Sequence, residues 1–548
     1  MGRHYISVLL ILLALSPCLK AMAQDEVEIS TDNVSLEMPD LYSGEKCFSL
    51  YPPGKTPFAY YGGSISLNSS TSGDFAPYYI MSNNEGLTVQ AQALQATAYF
   101  ERPLTLSRRF EYGFGVSIAG TWSCGTDYAR YIAEQGWTKR DLHYPGFIIH
   151  NLYGTVKYRG VYASIGAKPH TSTLFHDALG SGDIVLSDNA RPIPQISIGF
   201  VDFQEIPFTN KWVQIKGEVS YGKFLDNSWL KSHYNYFNSF ITTGAWMQYS
   251  NIYFRSNPDK PFSATIGIQH ATQFGGTWQQ WDKGELKYSH KEKLSFKSFW
   301  NAFIPGKGGG SNIEGENFVE GNHLGSYDIE LQYRFSNNST LRAYAQLPWE
   351  DGSGMGKLNG FDGVWGLEYK FPRSVSNGVI KSLLAEYIDF TNQSGPMHWA
   401  PGDFPGTQIP GQATGADDYY NNFMYNGWTN YGMALGSPFV KSPVYNTDGY
   451  LRFTDNRVRG FQIGAKGFIG ANLEWIAKFS YRTSWGTPMI PQIEKLHDTS
   501  MLLGCDWRIP QVKGLLLSGK VAFDAGKLYG NNFGAYLSLS YKGHLFTR

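Results

Sequence analysis

Apolar and polar residues alternate one by one along most of the chain, which is the periodicity of a β-strand with two different faces. In 327–335, YDIELQYRF, tyrosine, isoleucine, leucine and phenylalanine lie on one face, and aspartate, glutamate, glutamine and arginine lie on the other. The stretches 152–167 and 471–482 repeat this alternation, the first of them across a tight Arg159-Gly160 turn. The pattern predicts an all-β protein.

Two architectures fit such strands. A soluble sandwich buries the apolar face, whereas a transmembrane barrel turns the apolar face to lipid and the charged face to its lumen. The final stretch 533–548, FGAYLSLSYKGHLFTR, has the long alternating strand that a barrel needs for closure. Many apolar faces also end in tyrosine close to a turn, as an aromatic girdle requires. These residues are Tyr158, Tyr221, Tyr333, Tyr481 and Tyr541.

The connections between the strands alternate between short and long, which is typical of bacterial outer-membrane barrels with short periplasmic turns and long outer loops. This rhythm predicts a transmembrane antiparallel β-barrel of about 18 strands between about Pro57 and Phe546. The stretch 285–304 either adds a hairpin or belongs to a loop. Short turns are expected near 102–107, 159–160, 204–211, 256–261, 336–339, 372–380, 468–471 and 509–514. Long connections are expected near 69–86, 123–148, 168–195, 223–244, 271–326, 348–363, 391–458 and 483–499, with a shorter one near 525–532.

The N-terminus predicts export. It has a basic start, an apolar run from Ile6 to Leu15, and small residues before Gln24, as in a signal peptide over 1–23 that is cut after Ala23. A lipoprotein signal that uses Cys18 is the alternative. An acidic lead-in over 24–56 and one barrel domain over 57–548 then follow. After the signal, no apolar run approaches the roughly 18 residues of a membrane helix.

Composition agrees with an outer-membrane barrel and excludes some partners. The formal net charge of +0 gives no electrostatic support to nucleic-acid binding. Charged residues make up 17% of the chain, below the roughly 25% usual in soluble domains, while aromatic residues reach 16%. We therefore expect outer-membrane lipid as a partner, no nucleic acid, and a monomer.

Candidate catalytic and metal-binding patterns are weak. Of the four cysteines, three would remain after removal of the signal peptide, namely Cys47, Cys124 and Cys505. They are odd in number and far apart, so they predict neither a disulfide framework nor a metal cluster. The chain contains no H-E-x-x-H and no G-x-S-x-G motif. The stretch 306–312, GKGGGSN, lacks the ending of a phosphate-binding loop, and 176–183 has an ordinary polar composition. We expect no enzymatic activity, no cofactor and no metal.

Several segments together resemble the capsule assembly protein Wzi family of outer-membrane barrels. The resemblance follows the same order along most of the chain after the signal peptide. It implies an 18-stranded barrel that helps to hold capsular polysaccharide at the cell surface as a lectin without catalysis. The segments are SDNARPIPQISIGF at 187–200, WMQYSNIYFR at 246–255, NGWTNYGMALGSPF at 426–439, DNRVRGFQIGAKG at 455–467 and YRTSWGTP at 481–488.

Carbohydrate binding requires aromatic faces for sugar C–H groups, with amides and carboxylates nearby for the hydroxyls. The longest expected outer connection, 391–458, has the best supply of both. A second candidate is the stretch 278–281, WQQW. Either stretch could instead be a loop folded on itself or part of an interfacial aromatic belt. The predicted contacts in the long loop are Trp399, Asp417, Tyr419, Tyr420, Asn421, Trp428 and Tyr431.

Arg191 is the last candidate. It lies in a polar stretch that two prolines, Pro192 and Pro194, stiffen at the mouth of a strand. Its guanidinium either ties the loop to the barrel interior or meets an acidic sugar, and the internal tether is the more common arrangement.

The sequence therefore predicts an outer-membrane protein that binds and anchors capsular or other surface polysaccharide. The alternative is a channel for uptake of sugars or small solutes. Whether the lumen is blocked or open distinguishes the two functions. Its charged side chains have both signs, so they could either pair and close the pore or line a water-filled channel. These residues are Asp328, Glu330, Arg334, Arg342, Glu474, Lys478 and Arg482.

Overall fold

The computed structural model describes residues 57–104, 108–175, 178–304, 321–372, 379–395 and 417–545, and the backbone alone for 398–400 and 412–414. The expected signal peptide and the lead-in 24–56 lie outside the described residues. The main sheet consists of β1 Ala59–Ser70, β2 Gln92–Arg102, β3 Phe110–Ser123, β4 Phe147–Tyr158, β5 Val161–Ala167, β6 Pro194–Phe200 with its continuation Gln204–Glu205, β7 Val213–Lys223, β8 Trp246–Ser256, β9 Phe262–Phe274, β10 Asn322–Arg334, β11 Thr340–Trp349, β12 Gly363–Lys370, β13 Ser382–Asp389, β14 Val458–Ile469, β15 Leu473–Gly486, β16 Pro491–Arg508, β17 Leu515–Gly526 and β18 Asn532–Leu545.

This sheet closes on itself. Strand β1 pairs antiparallel with β2 and also with the last strand β18, where Gly63 lies opposite Tyr541. Strand β6 and its continuation both pair with β7, so they are two parts of one interrupted strand. The result is a closed antiparallel barrel of 18 strands, which confirms the predicted fold class.

The barrel is polar inside and apolar outside. On β10 the side chain of Asp328 is 1% exposed, whereas its neighbour Ile329 faces outward. On β9 Gln269 is buried and Ile266 is 57% exposed on the outer wall. A soluble protein would bury the isoleucines instead, and this inversion is the polarity of a transmembrane barrel. Within the described residues, no helix has both the length and the apolarity needed to cross a membrane.

The turns at one end are short and the loops at the other end are mostly long, as predicted. The long connection expected near 483–499 is wrong. Strand β15 continues to Gly486 and β16 begins at Pro491, so only 487–490 connect them. The side chains of 491–495 are exposed on both faces of β16. Without one buried face, this part of the strand shows no alternation that the sequence could reveal.

The outer loops contain their own secondary structure. The stretch 285–304, left open by the sequence, contains a hairpin strand and a helix that both belong to a loop. The helices are α1 Tyr78–Met81, α2 Asn227–His233, α3 Phe296–Phe303 and α4 Gly352–Met355, with a 3₁₀ turn at Pro443–Tyr445. The loop strands form four small sheets: Gly125–Ile132 with Gly136–His143; Ser239–Thr243 with Thr277–Asp282 and Glu285–Lys291; His398–Ala400 with Gln412–Thr414; and Thr429–Asn430 with Met433–Ala434.

The inverted wall predicts a specific cost for a charge on its outer face. Ile266→Arg should destabilise the barrel by about 2–4 kcal/mol, because the guanidinium would lie in the apolar part of the bilayer. Leu286→Arg is the matched control, since Leu286 is also exposed but lies on a hairpin of an outer loop. Denaturant unfolding in phospholipid vesicles measures the free energy of unfolding of both variants. Equal effects of the two substitutions would contradict the lipid-facing assignment.

Candidate functional site

The loop between β5 and β6, residues 168–193, enters the barrel lumen. Side chains of the barrel wall bind its backbone there. The N–H of Ser181 donates to Glu386 at 2.7 Å, and the N–H of Ile184 donates to Gln346 at 2.6 Å. On the neighbouring strand β14, Gln462 lies opposite Glu386 and donates to the carbonyl oxygen of Leu179 at 2.6 Å. Polar lumen residues thus position the loop through its main chain.

Lumen charges join the same network. Lys478 donates to the carbonyl oxygen of Ala178 at 2.9 Å. Arg342 bonds Glu330 at 2.5 Å and Glu368 at 3.3 Å, and it also donates to the carbonyl oxygen of Leu174. These charges pair with one another or with the loop, which is the arrangement that fills a lumen.

The second part of the plug is the described end of the loop between β13 and β14, residues 417–457. Trp428 is 0% exposed, and its indole N–H donates to the carbonyl oxygen of Val185 at 2.7 Å. The hydroxyl of Tyr420 donates to the carbonyl oxygen of Ile184 at 2.7 Å. Asn189 donates to Ala434 at 2.9 Å. The two loops therefore share one core, called here the plug (168–193 with 417–457).

The first outer loop, 71–91, braces the plug against side chains of β14, β15 and β17. The N–H of Tyr78 donates to Asp524 at 2.8 Å. The guanidinium of Arg482 lies 3.8 Å from the centre of the Tyr78 ring, and Tyr79 donates to Gln462 at 3.1 Å. Cation–π contacts of a desolvated arginine are stronger than exposed ones, so Arg482 stabilises the site where this loop meets the barrel.

Arg191 is an internal tether. Its guanidinium lies between the rings of Tyr144 and Tyr431, at 4.8 Å and 4.2 Å from their centres. It also donates to the carbonyl oxygen of Gly86 at 3.3 Å. The side chain is buried, and β6 begins at Pro194, so the two prolines lie where the plug joins the rim. The arginine thus holds three outer loops together.

The residues predicted to contact sugar occupy the plug instead. Tyr419, Tyr420 and Trp428 have buried rings, and Asp417 and Asn421 are buried with them. None of these three rings has an exposed face on which a sugar could stack in this structure.

The two remaining contacts in that loop differ from one another. Tyr431 is half-buried against Arg191. The side chain of Trp399 lies outside the described residues, and its contact stays a prediction.

Acidic residues gather beside the plug. Asp417 accepts hydrogen bonds from Ser394 at 2.5 Å and from Ser353 at 3.4 Å. Burial, together with the charge of Asp351, raises the pKa of Asp417 to about 7. Burial also raises the pKa of Glu350. Among the described residues, no group of three or more histidine, cysteine, aspartate or glutamate side chains has the geometry of a metal site.

The second predicted stretch, 278–281, forms the middle strand of a loop sheet. The ring of Trp278 contacts Phe240 and Tyr288, and Trp281 lies edge-on to Tyr236 at 4.8 Å. Both tryptophans are half-buried, so their rings mainly hold the sheet together.

Sequence reasoning missed one exposed aromatic group, called here the outer platform (Tyr131, Trp137 and Phe237). Trp137 is 53% exposed on the outer hairpin 125–143. Its ring lies 5.4 Å from Tyr131 and 4.8 Å from Phe237. The N–H of Tyr131 donates to Asn235 at 2.8 Å, which fixes the hairpin to the loop beneath it. The signal that could have found the hairpin is the turn residue Gly136, with φ of 76°, between two β-prone runs in 125–143.

No protein-family model matches the chain, and no curated protein sequence matches it. Among solved structures, it is similar to Wzi of Escherichia coli, described as an outer-membrane protein involved in group 1 capsule assembly and a carbohydrate-binding β-barrel. That match has 12% identity, covers 88% of this chain and 85% of Wzi, and has a TM-score of 0.53. OccK3 (OpdO) of Pseudomonas aeruginosa matches at 11% identity over 89% of this chain and 96% of its own, with a TM-score of 0.40.

At such identities the likeness to Wzi shows the fold, and the chain is an outer-membrane β-barrel. The Wzi-family resemblance of the sequence stays a prediction.

The contacts of Trp428 predict how the plug responds to its loss. Trp428→Ala should cost the plug about 3–5 kcal/mol, as expected for truncation of a buried tryptophan. Hydrogen exchange of the amides in 420–440 should accelerate while the barrel strands remain protected. Trp428→Phe is the control, since it keeps most of the packing and removes the bond to Val185. Unchanged exchange in Trp428→Ala would show that the two loops do not share a core.

The buried Asp417 predicts a pH dependence. Its folded pKa lies above the ordinary value of 3.8, so the folded loop retains a proton that the unfolded loop releases. Stability of this loop should therefore fall as pH rises from about 4 to about 7 and then level off. Hydrogen exchange around 417 at pH 5 and pH 8, after correction for the intrinsic rate, measures this. Asp417→Asn should reduce the difference, and an undiminished difference would assign it to the other carboxylates.

Proposed function

We propose that the protein binds and anchors capsular or other surface polysaccharide at the cell surface, without catalysis. The observation that carries the proposal is the plug. Glu386, Gln346 and Gln462 are engaged by loop backbone, whereas a channel would use such groups to line a water path. A barrel whose lumen is occupied by its own loops suits a static role at the surface better than transport.

The outer platform takes the place of the buried plug aromatics as the surface that contacts sugar. Trp137 offers a large exposed face, and sugar C–H groups pack well on such faces. Arg130 lies over the ring of Tyr236 at 4.9 Å, next to the platform, and Arg140 is exposed on the same hairpin. Aromatic faces with guanidinium groups beside them suit a polysaccharide that carries carboxylates or pyruvate groups.

The buried residues of the plug retain a supporting role in this proposal. Tyr420 and Trp428 hold the loop that lies under the platform, since the N–H of Ala129 on the platform hairpin donates to the carbonyl oxygen of Thr447 at 2.8 Å. Loss of these aromatic residues would then weaken polysaccharide retention indirectly, by loosening the loop.

The alternative function is a channel for sugars or small solutes. Reconstitution into planar bilayers separates the two functions. The anchoring proposal expects little steady current from the wild type and a larger one when the plug is loosened by Trp428→Ala. A large steady current through the wild type would favour the channel.

A deletion strain tests the proposed function in cells. Without the protein, polysaccharide should still be exported but should be released into the medium, so that the ratio of cell-bound to free polysaccharide falls. Complementation with Trp137→Ala should restore retention only in part, because one stacking contact contributes about 1 kcal/mol. Trp212→Ala is the matched control, since Trp212 is equally exposed but lies at the opposite end of the barrel. Full retention in the deletion strain would overturn the proposal.

A further inference from the structure

The outer wall of the barrel carries a polar patch at its extracellular rim. Along β8 the lumen-facing side chains are Met247, Tyr249 and Tyr253, so Gln248 points to the lipid side. In the neighbouring strands Thr272 lies opposite Gln248, and His323 lies opposite Thr272. Polar side chains on a lipid-facing wall are costly unless something covers them.

Helix α3 covers this patch. The hydroxyl of Thr272 donates to the carbonyl oxygen of Ala302 at 2.8 Å, and Tyr221 donates to the carbonyl oxygen of Phe299 at 2.9 Å. The ring of Phe299 packs on Trp246 and Phe274, with centroid distances of 5.5 Å and 5.2 Å. The helix therefore lies against the outside of the wall, over the ends of β7, β8 and β9.

The polarity of α3 is the reverse of that of a helix in water. Its wall-facing side buries Ser298 and Asn301. Its outward side exposes Phe296 by 87%, Trp300 by 53% and, just past its end, Ile304. These three residues are spaced by four and therefore share one face. An aqueous surface gives no reason for such a face, whereas the interface of a bilayer does.

Basic residues flank the apolar face. Lys291, Lys293 and Lys297 are all exposed in and before α3. The one acid in this stretch, Glu292, lies 3.5 Å from His290. Lys223 adds a fourth positive charge, 5.2 Å from the ring centre of Trp246 beside the helix. An apolar helix face bordered by lysines is the pattern of a segment that binds anionic lipid.

We propose that α3 is an interfacial helix that inserts Phe296, Trp300 and Ile304 into the outer leaflet, where the lysines bind phosphate-bearing lipid headgroups. The lipid-facing wall supports this choice of occupant, because the exposed face of α3 continues the apolar surface formed below it by Ile252 and Ile266. The proposal concerns the wall of the barrel, so it does not depend on the proposed polysaccharide function.

Tryptophan quenching by brominated lipid tests the insertion. Full-length protein is reconstituted in phosphatidylcholine vesicles with brominated or ordinary acyl chains. In Trp300→Phe the quenched fraction of the emission should fall, because an indole in lipid has been removed. In Trp137→Phe that fraction should rise slightly, because an equally exposed indole in water has been removed. If the two variants behave alike, α3 is not in lipid.

A second measurement tests the headgroup. Spin-labelled phosphatidic acid and spin-labelled phosphatidylcholine are compared for association with the protein in phosphatidylcholine vesicles. Phosphatidic acid should be preferred several-fold, and a variant with Lys291, Lys293 and Lys297 all replaced by glutamine should lose most of that preference. Equal association of both lipids with the wild type would overturn the headgroup assignment. A stable oligomer in which Trp300 is shielded from brominated lipid would overturn the proposal in favour of contact between copies.

Discussion

Pairing of buried backbone groups is the constraint on which the rest of this structure depends. A loop drawn into a barrel takes its N–H and C=O groups out of water, and each unpaired group costs about 1–3 kcal/mol. The barrel wall provides hydrogen-bond partners at fixed positions, where Glu386 and Gln346 accept and Gln462 donates. Because these side chains project from rigid strands, they fix the path of 178–184, and that path in turn fixes Val185 and Ile184 as acceptors for the second loop.

The aromatic residues follow from that arrangement. Once the loop backbone is in place, Trp428 and Tyr420 can bury their rings and still satisfy their polar atoms on its carbonyl oxygens. The plug is therefore a small soluble-like core inside a membrane protein, with its apolar side chains turned inward, while the barrel around it has the opposite polarity. In the proposed function, surface recognition falls to parts of the outer loops that the plug does not use, such as the hairpin with Trp137.

The sequence was sufficient for the fold because strand alternation is local. Most barrel strands show their two faces within a few residues, with the start of β16 as the exception, and the lengths of the turns show the orientation. The site was not predictable in the same way, as two identical tripeptides demonstrate. Gly136-Trp137-Thr138 and Gly427-Trp428-Thr429 both begin with a left-handed glycine, with φ of 76° and 83°, yet Trp137 is exposed and Trp428 is fully buried. The difference lies in Val185, more than two hundred residues away from Trp428, which no local pattern contains.

Helix α3 shows the same dependence on environment at the outer wall. Its sequence, FKSFWNAF, is amphipathic, and in a soluble protein the phenylalanine and tryptophan side would be expected to face the core. Here the side with Ser298, Asn301 and Ala302 lies against the wall, where the hydroxyl of Thr272 donates to the carbonyl oxygen of Ala302. Of the aromatic residues, Phe299 packs on the wall, while Phe296 and Trp300 are exposed. A pattern of hydrophobicity thus identifies the two faces of a helix, but the surroundings on each side decide which face is buried.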